Sequence, residues 1–228
     1  CQAAGDAEGA FQWLDQAERL YYRSPIPDVQ PIYALRARLW VAHGRLAEAQ
    51  RWVRARGLSA QDELSYLREV DHITLARILL AQAAQQDDAQ SRQAAMELLA
   101  RLLAAAEAGD RTGRVVEILV LQALAAAAEG DLPAAQAALL RALPLAERDE
   151  HVRVFVDEGA PLARLLRTLP AVEQRASFAG RLLRALAECE EPADSAAPPI
   201  APATAPRLVE PLSARELDVL RLLQSDLT

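Results

Sequence analysis

Lysine is absent from the 228 residues, and all 25 basic side chains are arginine. A phosphate loop built on lysine and Schiff-base chemistry are therefore excluded within this chain. Cysteine is almost as scarce. Cys1 and Cys189 stand far apart, which offers neither a disulfide framework nor a CxxC metal site. Aromatic residues make up only 4% and β-branched residues are sparse, so little or no sheet is expected. No apolar run approaches the roughly 18 uncharged residues of a membrane span. The opening CQAAGDAEGA lacks the basic flank and apolar stretch of a signal peptide, so a cytoplasmic protein without membrane contact is expected. His43, His72 and His151 are widely separated and stand in no metal-ligand spacing. With no nucleophile–base pair, metal cluster or phosphate loop, the sequence supplies no catalytic or metal residue, and no enzyme is expected.

What is present is alanine and leucine, the residues that lose least on entering a helix. Hydrophobic residues make up 52% of the chain, enough for a full core, and the formal charge of −7 repels a polyanion. The fold class read from this composition is all-α.

A Gly turn followed five residues later by Ala occurs at Gly5/Ala10, Gly44/Ala49 and Gly130/Ala135. Gly5 and Gly44 are 39 residues apart, and Gly44 and Gly130 are 86 apart, two steps of 43. A further turn is therefore expected near residue 87, at Gln86-Asp87-Asp88. Each Gly can end a helix in the left-handed region, and Pro133 fits the first turn of the next helix. The unit is a helical hairpin: helices are expected over 32–43, 64–85 and 114–129 before the turns, and over 47–56, 92–108 and 134–143 after them. Val115, Ile118, Leu119 and Gln122, and then Leu132, Leu139 and Leu143, follow helical spacing. Each helix thus carries an apolar stripe that stacked hairpins bury.

This pattern resembles the tetratricopeptide repeat family, with Ala37 and Ala123 at the small crossing position and Ala10, Ala49 and Ala135 after the turns. The middle repeat has no Gly and places Arg92 where Ala is expected. A loop about two residues longer, with Ala94 or Ala95 at the crossing, is the reading that restores the register. The period also exceeds the roughly 34 residues of the standard unit. The resemblance implies an α-solenoid of stacked hairpins whose first helices line a concave groove. Counting back from the turns, that face carries Arg38 and Val41, then Thr74, Arg77 and Gln85, then Glu117 and Val120. A ligand or partner groove of Arg38, Thr74, Arg77, Gln85 and Glu117 follows, with two arginines and a glutamate converging. Trp13, Trp40 and Trp52 stand among apolar residues at helical spacing and are read as core. The adjacent Asp157-Glu158 before Gly159 is read as structural, capping the next helix.

The composition then divides the chain: a repeat domain over 1–190, a Pro/Ala-rich linker over 191–206, and a third segment over 207–228. In that segment Ser213 and Glu216 form a capping box, followed by an apolar face of Leu217, Leu220 and Leu223 or of Val219 and Leu223. From Pro211 to Leu223 the sequence resembles the opening of a LuxR-type helix-turn-helix domain, carried by Ser213, Arg215, Glu216, Val219 and Leu220. Asp226 departs from the glycine usual there. Together with His151–Leu162 and Leu165-Leu166, these features resemble the large ATP-dependent LuxR regulators of the MalT-like family. The resemblance implies a sensor and transducer for a small-molecule inducer or regulatory protein in the groove. It also implies ATP bound only in an N-terminal module outside this fragment, DNA bound only through a complete C-terminal domain, and possible self-association in the full-length regulator. Both ends are expected to be cut, Gly5 within a repeat and Thr228 within a motif. The alternative class is a stand-alone adaptor that binds peptide or protein partners in the same groove.

The linker composition predicts that limited proteolysis cuts between Cys189 and Leu208 before the repeats degrade, read as a stable fragment by mass spectrometry.

Overall fold

The structure is a computed structural model that describes residues 7–20, 32–170 and 178–190. Within the unit spanning Cys1–Pro192, the described residues form ten α-helices and one 3-10 turn, and none of them is in a strand. The helices are α1 (Ala7–Leu20), α2 (Ile32–Ala42), α3 (Leu46–Arg56), α4 (Glu69–Gln86), α5 (Ala89–Ala108), α6 (Thr112–Ala128), α7 (Leu132–Arg148), α8 (Val152–Val156), α9 (Gly159–Leu166) and α10 (Phe178–Glu190). The 3-10 turn, Tyr66–Arg68, leads into α4. None of the described helices is long and apolar enough to cross a membrane.

Three hairpins, α2/α3, α4/α5 and α6/α7, repeat with a constant turn. The left-handed residue is Gly44 (φ 70°), Asp87 (φ 49°) and Gly130 (φ 79°), so the steps are 43 residues each. The expected turn near residue 87 is present, but its loop is not lengthened. In all three hairpins one residue separates the left-handed position from the next helix. The middle repeat instead rotates its inward face by about one position. Ser91 and Ala95 are buried while Arg92 is half-buried. The cause is the cap: Asp88 accepts from the Gln90 and Ser91 N–H groups at 3.0 and 3.2 Å and from the Ser91 hydroxyl at 2.5 Å, drawing Ser91 inward.

α3, α5, α6 and α7 run longer than their expected ranges, whereas α2 ends at Ala42 and α4 begins only at Glu69 and not at 64, because Tyr66–Arg68 forms a 3-10 turn ahead of it. α7 continues through Pro144 to Arg148. Leu143 and Ala146 are buried on either side of the proline, and their packing holds the helix where the missing N–H alone favours a break. Ala37 and Ala123, the small crossing residues, are fully buried, as are Ala49 and Ala135 after the turns. These methyl groups let neighbouring helices approach closely. The first helices pack in series: α2 on α4, α4 on α6, and α6 on both α8 and α9. Trp52 is buried and Trp40 is half-buried against the core, but Trp13 is 63% exposed and is not core. Leu132, placed on the apolar stripe, is also exposed, because it opens α7 beside the turn.

The turn geometry carries a test. An added Cβ at Gly130 meets no atom within 4 Å, so Gly130→Ala is resisted by backbone conformation alone and should lower stability by about 1 kcal/mol. Asp87→Gly should raise it by about 0.5 to 1 kcal/mol, since Asp87 holds the same left-handed position with an exposed side chain. Denaturation midpoints of the two variants, moving in opposite directions, check both.

Candidate functional site: a buried arginine–glutamate network

α4 is the least ordinary helix. Its first turns bury Glu69, Asp71, His72 and Thr74. Burying such groups costs several kcal/mol each unless partners meet them, and the partners come from both sides. Glu69 receives Arg111 through Nε at 3.0 Å and Nη2 at 2.7 Å. Arg56 pairs with Asp71 at 2.7 Å. The His72 ring lies 2.9 Å from the Arg68 carbonyl and 3.2 Å from the Asp62 carboxylate.

The residues predicted for the groove meet one turn further along. Glu117, on the middle of α6, is 4% exposed and receives three guanidinium groups: Arg38 of α2 at 2.8 Å, Arg77 of α4 at 3.3 Å and Arg114 of its own helix at 3.0 Å. Arg38 also donates from Nε to the Thr74 hydroxyl at 3.2 Å, and that hydroxyl donates to the Val70 carbonyl at 2.8 Å. Arg77 reaches beyond Glu117 to Glu158, the residue preceding α9, at 2.6 Å. One chain of charge thus links α2, α4, α6 and the start of α9.

Burial pushes the Glu117 carboxyl up, but Arg38, Arg77 and Arg114 together outweigh burial and hold it below the ordinary glutamate range. The two bridging arginines differ. Burial lowers Arg38, Glu117 offsets this only in part, and the like charges of Arg77 and Arg114 lower it further. Burial also lowers Arg77, but there Glu158 and Glu117 prevail and raise it.

The expected convergence of Arg38, Arg77 and Glu117 is therefore present, with Thr74 joined to it, but as a buried ion network and not as an open surface. Gln85 does not take part: it lies two turns beyond Arg77 and is exposed. Val120 is fully buried instead of lining a groove. Asp157 and Glu158 make no side-chain cap for α9, and Glu158 serves as the ionic partner of Arg77. Sequence reasoning missed Glu69, Arg111, Arg114 and Glu158. The carboxylates before Gly159 were a signal, read as a cap because Glu158's partner Arg77 is 81 residues away in sequence.

Two cavities flank the network. One of about 420 Å³ is lined by Tyr66, Glu69, Arg111, Arg114, Glu117 and His151. The other, about 620 Å³, lies past the Arg77–Glu158 pair, with mainly apolar walls from α4 and α6. Among the described residues no group of His, Cys, Asp and Glu side chains has the makings of a metal site. Ser213, Arg215, Glu216, Val219 and Leu220, with the segments over 191–206 and 207–228, lie outside the described residues.

Because the Glu117 carboxyl is depressed in the folded chain, its contribution is fully present above the unfolded value of about 4.3 and is lost as pH falls through the lower folded value. Glu117→Gln should cost about 3 kcal/mol at neutral pH, because Arg38 loses its anionic partner and Arg77 and Arg114 each lose one of two. The gap to wild type should narrow as pH falls below that unfolded value and through the lower folded one. Unfolding free energies of both proteins across this range test the sign.

No curated protein and no solved structure matches the chain. The family described as the MalT-like TPR region, TPR standing for tetratricopeptide repeat, matches residues 1–171, about three quarters of the sequence and every hairpin and ion pair described above. The chain belongs to the MalT-like TPR family.

Proposed function

We propose that this chain is the regulatory repeat domain of a bacterial LuxR-type transcriptional activator, binding a small-molecule inducer or a regulatory protein and relaying that event to DNA binding. The role is one of binding and relay, not catalysis, and it is exercised in the cytoplasm. In this reading DNA is contacted only by a complete C-terminal domain, of which Pro211–Leu223 is the opening, and ATP by a separate N-terminal module. In this reading the full-length regulator self-associates, as the family resemblance implies.

One observation carries the reading. Glu117 gathers arginines from three helices in successive hairpins, and Arg77 passes the connection on to Glu158. Apolar packing tolerates sliding, whereas a buried ion network is satisfied only in a narrow set of relative hairpin positions. A ligand that binds one set of positions better than another shifts the population between them by its differential affinity.

Chromatin immunoprecipitation of the full-length protein in its native host tests this. Enrichment at discrete promoters is expected. Glu117→Gln, at matched protein level, should change transcription from those promoters by roughly fivefold or more, the lower range of ordinary allosteric coupling. Absence of promoter enrichment, or wild-type transcription from Glu117→Gln, would overturn the reading and leave the adaptor class in its place.

A further inference from the structure

We propose that the cavity of about 620 Å³ beside the Arg77–Glu158 pair is a ligand site, and that it takes an uncharged, largely apolar small molecule with one polar end. The assignment rests on the sensor reading above and names the ligand class for it.

The volume falls within the roughly 300 to 1,000 Å³ of small-molecule pockets. Its walls are apolar, with Leu80 and Ala84 from α4 and Leu121 and Leu124 from α6. Its charged side chains each already have an opposite charge beside them, although the buried Nε of Arg77 has no hydrogen-bond partner. Arg77 lies 2.6 Å from Glu158 at one end, and Arg92 lies 3.5 Å from both Asp87 and Glu129 at the other. A charged ligand competes with these pairs for its partner. A polyol fares no better, since long stretches of wall offer its hydroxyls nothing to bond. An apolar body buries its surface against the leucines, while a single hydroxyl or amine hydrogen-bonds the charged pair.

The location supplies the coupling. Val41 of α2 and Pro161 of α9 also line it, so the cavity touches all four elements that the ion network joins, with Arg92 of α5 beside them, and Arg77 and Glu158 belong to both. Movement of one hairpin against the next changes the cavity and the network together.

The test uses phenylnaphthylamine, an uncharged aromatic amine with one N–H, whose fluorescence rises in apolar surroundings. Titrated into the full 228-residue chain, it should saturate at one equivalent. Ala84→Trp on α4 and Ala128→Trp on α6 place a large ring at exposed positions of the lining, where the fold tolerates it. With helical circular dichroism unchanged, each should weaken binding at least about tenfold. Leu140→Ser, at an exposed leucine of α7 away from the cavity, should not. The naphthalenesulfonate analogue should bind at least about tenfold more weakly than the neutral probe. Non-saturable binding, or wild-type affinity in both tryptophan variants, overturns the site. Equal affinity for the sulfonate overturns the ligand class. The titration involves no promoter, so its failure is separate from failure of the sensor reading. Saturable, tryptophan-blocked binding supports the site even where Ala84→Trp leaves the promoter response of the full-length protein intact, and that response then counts against the sensor reading alone.

Discussion

A carboxylate withdrawn from water has to be met by cations, and Glu117 is met by three. Its position on α6 is dictated by helical spacing, since Val116, Ile118, Leu119 and Val120 around it are all buried and the helix cannot turn to expose one residue without exposing the others. Arg38 and Arg77 must therefore reach inward from α2 and α4. Their distances to Glu117, 2.8 and 3.3 Å, tie the placement of two hairpins to a third. The stack of first helices follows from this constraint as much as from apolar burial. Such a network contributes little net stability compared with a well-packed apolar core, because desolvation offsets most of its Coulomb energy. What it contributes is selectivity among ways of stacking amphipathic hairpins that leucine and alanine alone would leave nearly equal.

The same reasoning explains why α4 carries so many buried polar groups. It is the middle of the three first helices and packs on both α2 and α6, so no face of its N-terminal half is left for solvent. A helix surrounded in this way ordinarily becomes apolar throughout. Here Glu69, Asp71 and Thr74 are retained, each facing a partner on a neighbouring element: Arg111, Arg56 and Arg38. Lysine is missing from all these roles. The guanidinium's several donors let Arg77 hold Glu117 and Glu158 at once and let Arg111 grip Glu69 through two nitrogens, which one ammonium group serves less well.

What was legible in the sequence was whatever depends on local spacing. The turns at Gly44 and Gly130, the 43-residue step between them through Asp87 and the small residues at the helix crossings depend on local spacing, and they stand where the periodicity puts them, while Gly5 lies outside the described residues. The convergence of Arg38, Arg77 and Glu117 was also accessible, because a constant step places equivalent faces side by side. Their burial was not. Helical spacing fixes a direction around the axis, but whether that direction meets water depends on the neighbours stacked against it. Gln85 shares a face with Arg77 and is exposed; Val120 was placed beside Glu117 and is buried. Trp13 failed for the same reason. Apolar neighbours in sequence do not ensure apolar neighbours in space, and α1 leaves this ring 63% exposed. Glu158 was out of reach of local rules, because its role is fixed by Arg77, which lies on α4, the first helix of another hairpin.

Placement of the charged residues at the edge of the apolar cavity, and not in its middle, has a further physical consequence. An occupant of the cavity excludes water from one side of the Arg77–Glu158 pair, which is 17% and 12% exposed at its two side chains. Lower local dielectric strengthens a pair whose geometry is already good and penalises one whose partners are drawn apart. Filling the cavity therefore favours hairpin arrangements in which that pair is closed. Because Arg77 also holds Glu117, the preference extends to α6 and, through Arg38, to α2. No moving loop is required for this coupling. It needs only that one arginine be shared between a cavity wall and a buried hub, so that the free energy of occupying the first is felt at the second.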